Sequence, residues 1–237
     1  VANQRIAVIT PSIGNKYLAR AIESVKQQTI PCSHYVYIDG RQYWDKVPAD
    51  NAIAFTHLEE NTGAGGNQGY IIYSKALQEI DADYLFLLDE DNWYSPNHVE
   101  TVVNLINRHK VSWAHSLRNL MTHDGVFLYQ DNSDSIGFWA PNHFVDPSCI
   151  GYTKECAQLI APIWRPPYSN YHYDRVVSQI ISTQYHYYGC TGQYTCNFSM
   201  TRNPAIQTEW HKYHNKRTAK MYPNGYPWAG KESLKSQ

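Results

Sequence analysis

The chain has 237 residues, 43% of them hydrophobic, which suits one large α/β domain or one domain with a tail. A formal net charge of −1 excludes a nucleic-acid glove and a polybasic membrane anchor, so a phosphate-bearing partner must be met by local groups or a metal. The 20 Tyr and 7 Trp supply aromatic faces with polar tips, which suit sugar rings as well as cores and interfaces.

Arg5 to Thr10 is a short apolar strand stopped by Pro11-Ser-Ile-Gly14. Asn15 is placed to cap a helix whose apolar stripe is Leu18, Ala21, Ile22 and Val25. Tyr35-Val-Tyr-Ile-Asp39-Gly40 reads as a second strand ending in an acid and a turn, and 52–57 as a third. This order predicts a parallel sheet with right-handed crossovers. The glycine-rich stretch 61–69 (Asn61, Gly63, Gly65, Gly66, Asn67, Gly69) then opens a helix carrying Ile71, Ile72 and Leu77. Such a loop brings backbone N–H groups to a phosphate or simply makes a tight turn, and it matches neither G-x-G-x-x-G nor a P-loop.

Tyr84 to Leu88 is an unbroken apolar run that fires into Asp89-Glu90-Asp91-Asn92. So short a run reads as a strand buried on both faces, with its carboxylates at the strand's carboxyl end, where open α/β sheets hold ligands. Asp89 and Asp91 are two apart and point the same way in extended backbone; two hard oxygen donors there suit Mg²⁺ or Mn²⁺. The structural alternative is an acidic turn capping the next helix.

Ser95-Pro96 is expected to start that helix, with Val99, Val102, Val103 and Ile106 inside. Strands are expected at 111–116 and 126–129 with a turn at His123-Asp124-Gly125, and a short helix at 154–160. A proline- and aromatic-rich loop, with Trp164, Tyr168, Tyr171 and His172, leads to Tyr173-Asp174 and a helix burying Val176, Val177, Ile180 and Ile181. Asp174 either complements that helix's dipole, worth roughly 0.3–1 kcal/mol, or stands beside a cleft as a proton acceptor. Two strands, 184–188 and 194–198, are expected around Gly189-Cys-Thr-Gly192. Beyond Thr201 the chain turns polar, with His211 and His214 three apart on a helix face and 222–230 as a mobile loop or lid. Five cysteines (32, 149, 156, 190, 196) without a C-x-x-C pair read as reduced thiols, with a Cys190–Cys196 bridge as the alternative. No signal peptide or spanning segment is visible, so the expectation is a soluble protein.

Taken together, these features resemble the family 2-like glycosyltransferases of the GT-A fold. The matching pieces are Ile9-Thr10-Pro11 with the helix ending Val25-Lys-Gln-Gln-Thr29, Ile38-Asp39-Gly40, Asn61-Thr-Gly63, the D-x-D run Asp89-Glu90-Asp91, and Tyr173-Asp174 where the family has Glu-Asp. The resemblance covers about residues 5–200. It implies a single α/β domain at 1–200, a Rossmann-like, mixed, mainly parallel sheet flanked by helices. The donor half would be about 1–95, the acceptor half about 96–200, and 201–237 a polar and aromatic tail or lid. Asn67 stands where many members have Ala-Arg, Tyr173 replaces a Glu, and no motif places the histidine that often completes the metal site.

The resemblance further implies a metal-dependent inverting transfer of sugar from a nucleoside diphosphate sugar, UDP-linked by default, to a carbohydrate hydroxyl. Thr10, Pro11, Asp39, Asn61, Gly65, Asn67, Asp89 and Glu90 would bind the nucleotide, and Asp91, Asp89, His211 and His214 the Mn²⁺ or Mg²⁺, with His186 behind them. Asp174 would be the catalytic base, and Trp164, Tyr168, Tyr171 and His172 would line the acceptor side. The partners implied are donor and acceptor, with no nucleic acid, and the location cytoplasmic, peripheral at a membrane at most through the acceptor. The rivals are a retaining transferase of the same fold, a non-catalytic nucleotide-sugar or glycan-binding protein, and a nucleotidyltransferase, whose glycine-rich loop with Arg and Lys is not matched by Thr10-Pro-Ser-Ile-Gly14.

Overall fold

A computed structural model describes residues 4–47, 50, 52–140, 142–165, 173–200 and 204–235, with side chains from 208 onward in the last run. Strand β1 (Ile6–Ser12) is buried along nearly its whole length because it has neighbours on both sides: β2 (Ser33–Asp39) and β4 (Tyr84–Leu87), each parallel to it. Beyond β2 lies β3 (Ala54–Leu58), also parallel. Between them run α1 (Leu18–Lys26) and α2 (Tyr70–Glu79). β2 alternates as a strand between two apolar layers must: Val36 and Ile38 pack with Leu18 and Ile22 of α1, while Tyr37 joins the main core.

The other half follows the short β5 (Trp93–Tyr94) and α3 (His98–His109). It contains β6 (Trp113–Met121), β7 (Phe127–Gln130), β8 (Ile150–Thr153), α4 (Lys154–Ile160), α5 (Tyr173–Gln184) and β9 (Gly189–Ser199). The chain closes with α6 (Pro204–Met221) and β10 (Ser233–Leu234). The sheet order is β10-β9-β6-β8-β4-β1-β2-β3, with β5 paired to β9 and β7 to β6. The β1–β4 side is all parallel; β8 runs antiparallel to both β4 and β6, and β6 and β9 are parallel. This is the expected α/β architecture of one mixed sheet flanked by helices. The acid-bearing β4 lies near its middle.

Several local expectations are corrected. α1 starts at Leu18, after a turn in which Asn15 Oδ1 accepts from the Tyr17 amide (3.3 Å). Helix α3 starts at His98 with Asn97 rather than Ser95 at its cap, and the Ser95 amide donates to Thr195 O (2.8 Å) across the sheet. β6 runs on to Met121, and the hairpin turn closes with the Thr122 amide on Val126 O (2.9 Å). In α5, Val177 and Ile181 are buried, whereas Val176 and Ile180 are only half-buried. Residues 184–188 form no strand: α5 ends at Gln184, and β9 is one unbroken strand from Gly189.

The two glycines read as a turn sit inside β9 because neighbours press against them. A Cβ on Gly189 would come 2.3 Å from Leu105 Cδ2, and one on Gly192 (φ +70) 2.2 Å from Lys231 O. All five cysteines are free thiols. The alternative of a Cys190–Cys196 bridge is therefore not realised, although an irregular register in β9 sets six of its residues against three of β6 between them.

The segment expected to be a mobile lid is instead fastened. Trp228 is fully buried with Leu117, Ile136 and Cys190, and its Nε1 donates to Asn132 Oδ1 (3.0 Å). The Gly230 amide donates to Gly192 O (2.8 Å), and β10 adds to the sheet edge beside β9. No helix among the described residues is long and apolar enough to cross a membrane.

Candidate active site

β1 and β4 are parallel neighbours, so Pro11-Ser12 and Asp89-Glu90-Asp91 leave the sheet at the same carboxyl edge. A cleft of about 710 Å³ runs along that edge. One end is formed by Pro11, Ser12, Ile13, Asp39, Gln68 and Gly69. The middle holds Tyr70, Tyr73 and the three acids. The far end, on the β6–β9 side, holds Arg118, Asp134, Phe144, Asp146, Asp174, Arg175, Phe198, Trp210 and His211.

In the middle, Asp89 is held from both sides. Tyr73 Oη donates to its Oδ1 (2.6 Å) and Asn92 Nδ2 to its Oδ2 (3.3 Å). Asn92 is buried and fixed in turn, giving its Nδ2 to Ser148 Oγ (3.2 Å) and accepting at Oδ1 from the Ser199 amide (2.9 Å). The Asp89 pKa is pushed up to about 7, first by the protein crowded around it and then by the charges of Asp91, Asp146 and Asp174, against the Tyr73 hydrogen bond. Solvent reaches this carboxylate from the cleft, which moderates the burial but leaves the crowding of acids intact. Glu90 turns back to β1, where its Oε2 accepts from Ser12 Oγ (2.6 Å) and the Asn15 amide (3.1 Å). Burial nevertheless raises its pKa. Asp91 lines the cleft; its backbone O accepts from Arg20 Nη2 (3.1 Å), and that guanidinium stacks 3.6 Å over Trp93.

At the β1–β2 end, Asp39 faces the cleft and organises the glycine-rich loop. Its Oδ1 accepts from the Thr62 amide and hydroxyl (2.7 and 2.8 Å), and its Oδ2 from the Gly63 amide (2.8 Å). Pro11 packs against Gly69, where a Cβ would come 2.5 Å from Pro11 Cγ. Thr10 is fully buried with its Oγ1 on His34 Nε2 (2.9 Å), so it faces away from the cleft. Asn61, Gly65 and Asn67 do not line the cleft either. Gly65 has φ +71 and open space where a Cβ would stand, so its glycine serves the turn.

The far end carries a charge cluster that the sequence does not announce. Arg118 of β6 is 4% exposed and meets three carboxylates: Nε to Asp131 Oδ2 (2.8 Å), Nη1 to Asp146 Oδ2 (2.6 Å) and Nη2 to Asp134 Oδ2 (3.3 Å). Burial pulls the Arg118 pKa down, but the three charges outweigh it and the net shift is upward. Arg175 also pairs with Asp134 (3.2 Å). Next to Arg175, Asp174 lines the cleft at the first turn of α5; burial raises its pKa, opposed by the Arg175 amide on its Oδ1 (2.7 Å).

The aromatic expectations are corrected here. Trp164 is fully buried, stacked on Tyr70 (5.4 Å between centroids), and offers no face to an acceptor. Tyr168, Tyr171 and His172 lie outside the described residues. Of the two helical histidines only His211 reaches the cleft, with Nδ1 3.8 Å from Asp131 Oδ1 and a pKa lowered chiefly by burial. His214 packs under Trp210 instead (4.2 Å between centroids), and His186 is exposed away from the cleft.

Among the described residues no group of three or more His, Cys, Asp or Glu side chains is gathered as a ready-made metal cage. The donor set fits a hard divalent cation shared with a ligand: Asp89 and Asp91 crowd each other, a cation would relieve that crowding, and Mg²⁺-type sites take one or two carboxylates with substrate phosphates completing the shell. Tyr73, Asn92, Arg118, Asp131, Asp134, Asp146 and Trp210 are the site residues that the sequence reading missed. Asp146 precedes Pro147 and accepts from the Ser148 amide (3.0 Å), a capping signal in the sequence, but nothing there joins it to Arg118.

Residues 7–120, from β1 through β6, match the model of Glycosyl transferase family 2. Among solved structures, residues 1–349 of S. aureus TarS in complex with UDP superpose with a TM-score of 0.62 at 14% identity, over 86% of this chain and 63% of that one. The same portion of TarS in complex with UDP-GlcNAc gives 0.63 at 13% identity, over 93% and 67%. A longer TarS structure gives 0.62 at 14%, and this chain spans 40% of it. At such identities the likeness shows the fold. No relative with a curated description matches the sequence.

Proposed function

We propose, from the premise that this chain is a family 2-like glycosyltransferase of the GT-A fold, that it moves a sugar from a UDP-linked donor to a hydroxyl of a glycan or glycoconjugate, inverting the anomeric centre. The observation that carries this reading is the position of the acids, midway along a cleft whose two ends differ in chemistry. At one end Pro11, Asp39 and Gly69 offer a small-residue and backbone-lined groove for a nucleotide. TarS was crystallised with UDP and with UDP-GlcNAc, which supports UDP as the leaving group. At the other end Asp174 stands ready for an acceptor. The donor half is then about 1–95, and the acceptor half 96–200 joined by α6, since Trp210 and His211 line the same cleft.

The acceptor oxygen attacks the anomeric carbon as the bond to the β-phosphate oxygen breaks. That electron pair leaves with the diphosphate, and the hydroxyl proton passes to Asp174. Burial raises the Asp174 pKa, which makes the ionised carboxylate a better proton acceptor near neutral pH. A Mg²⁺ or Mn²⁺ ion, for which Asp91 and Asp89 would be the protein ligands, would neutralise the charge growing on the diphosphate. Tyr73 and Asn92 fix the Asp89 carboxylate, and Arg20 fixes the Asp91 backbone, before any ligand arrives.

Calorimetric titration of UDP, GDP and CMP, in Mn²⁺ and in EDTA, tests the reading. UDP is expected to bind only with the metal and to lose that binding in Asp91→Ala. Absence of binding by every nucleotide in Mn²⁺ would return the acids to a structural role.

A further inference from the structure

Trp210 is a large apolar side chain that the fold leaves out of its core. Trp113, Trp164 and Trp228 are fully buried, whereas Trp210 is 44% exposed and lines the cleft. Its ring is nonetheless buttressed. His214, one turn on along α6, packs at 4.2 Å between centroids with a 36° tilt, and His211 meets it edge-on at 4.8 Å and 86°. An indole propped in this way and open to a cleft has already lost much of the freedom that ligand binding would otherwise remove.

The contacts of α6 fix which end of the cleft Trp210 serves. Its neighbour His211 lies 3.8 Å from Asp131, and Asp131 is bonded to Arg118 of β6. Trp210 therefore stands on the β6–β9 side, across the Asp89–Asp91 run from the β1–β2 end. Asp134, Arg175 and Asp174 line the same end. Four carboxylates there (Asp131, Asp134, Asp146, Asp174) face two guanidiniums (Arg118, Arg175), an excess that repels a phosphorylated or carboxylated ligand.

We propose that Trp210 is the platform on which an uncharged pyranose ring of the acceptor stacks. The ring's C–H face lies on the indole, and its hydroxyl rim turns to Asp134 and Arg175 as acceptor and donor. The proposal rests on the transferase reading above and adds the chemical class of the acceptor and the residue that recognises it.

The test is ¹⁹F NMR of the whole chain with its 7 Trp replaced by 5-fluorotryptophan, the Trp210 line being assigned as the one lost in Trp210→Phe. The probes are methyl glucopyranoside, methyl N-acetylglucosaminide, glucose 6-phosphate and the open-chain hexitol sorbitol. The Trp210 line is expected to move saturably with the two neutral pyranosides and to ignore the sugar phosphate and sorbitol. Equal movement with sorbitol, or a stationary line with both pyranosides, would overturn the platform. UDP titration in Mn²⁺ on the same sample separates the two failures. A silent Trp210 in a protein that binds UDP sinks only the platform, and a protein that binds no UDP sinks the transferase reading beneath it.

Discussion

Asp174 occupies the first turn of α5, where a carboxylate has two possible reasons to stand. A residue kept to complement the helix dipole stabilises the fold in its charged form, and its pKa falls. Here burial raises the pKa, so the charged form costs stability. The sign follows from linkage. With the folded pKa above the unfolded one, the cost is full above the folded pKa and vanishes below the unfolded value, about 4 for an aspartate. Asp174→Asn is therefore expected to raise the thermal midpoint at pH 8, with the gain fading as pH falls to 4. Turnover should drop by about 10²–10⁴-fold while UDP binding persists. A lower midpoint at pH 8 with full turnover would make Asp174 a helix-capping residue and remove it from the chemistry.

The sequence carries Asp174 and the acids after β4 in plain view, because each sits at a junction between a periodic apolar run and a turn. Asp39 was legible for the same reason. Thr10 was misread because one residue of alternation decides between cleft and core, and the core holds it through His34. Trp164 was misread because an aromatic-rich loop looks the same whether its rings face water or Tyr70.

At the scale of elements, the largest difference from the sequence reading is the C-terminal stretch. Its polar and aromatic composition suggests a lid, but Trp228, with Tyr222 and Tyr226 packed against it, fastens it. Trp228 fills a pocket between Leu117, Ile136 and Cys190, and its Nε1 is satisfied by Asn132. Trp228→Ala should cost about 3–5 kcal/mol of unfolding free energy, read as a shift of the urea midpoint. A detached lid would leave that midpoint where it was. The single strand β9 was equally hidden, since Gly189 and Gly192 read as a turn until the atoms pressed against them are known.

Across the whole molecule, the Arg118 cluster ties the sheet to the cleft. Its partners lie 13, 16 and 28 residues along the chain, a pairing that only the β6–β7 hairpin and the return through β8 create. No local pattern encodes that, which is why this cluster is illegible in the sequence while Asp174, at the start of a periodic helix in the same end of the cleft, is not. Arg118→Met would leave Asp131, Asp146 and Asp134 facing one another without their shared counter-charge. The expected loss is about 3–5 kcal/mol by urea denaturation, with part recovered in Arg118→Met/Asp131→Asn. If the single variant unfolded at the wild-type midpoint, the cluster would have no structural role.

The strand order also bears on how the protein is made. β4, the most apolar strand, can join β1 as soon as it is synthesised, but its other edge waits for β8, about 60 residues later. At roughly 5–20 residues per second that edge stays unpaired on the ribosome for about 3–12 s. An exposed row of amides and carbonyls on Tyr84–Leu87 is a template for a foreign strand. The nascent chain is thus most vulnerable to aggregation, and most in need of a chaperone, after its acidic run has emerged and before Ile150 has.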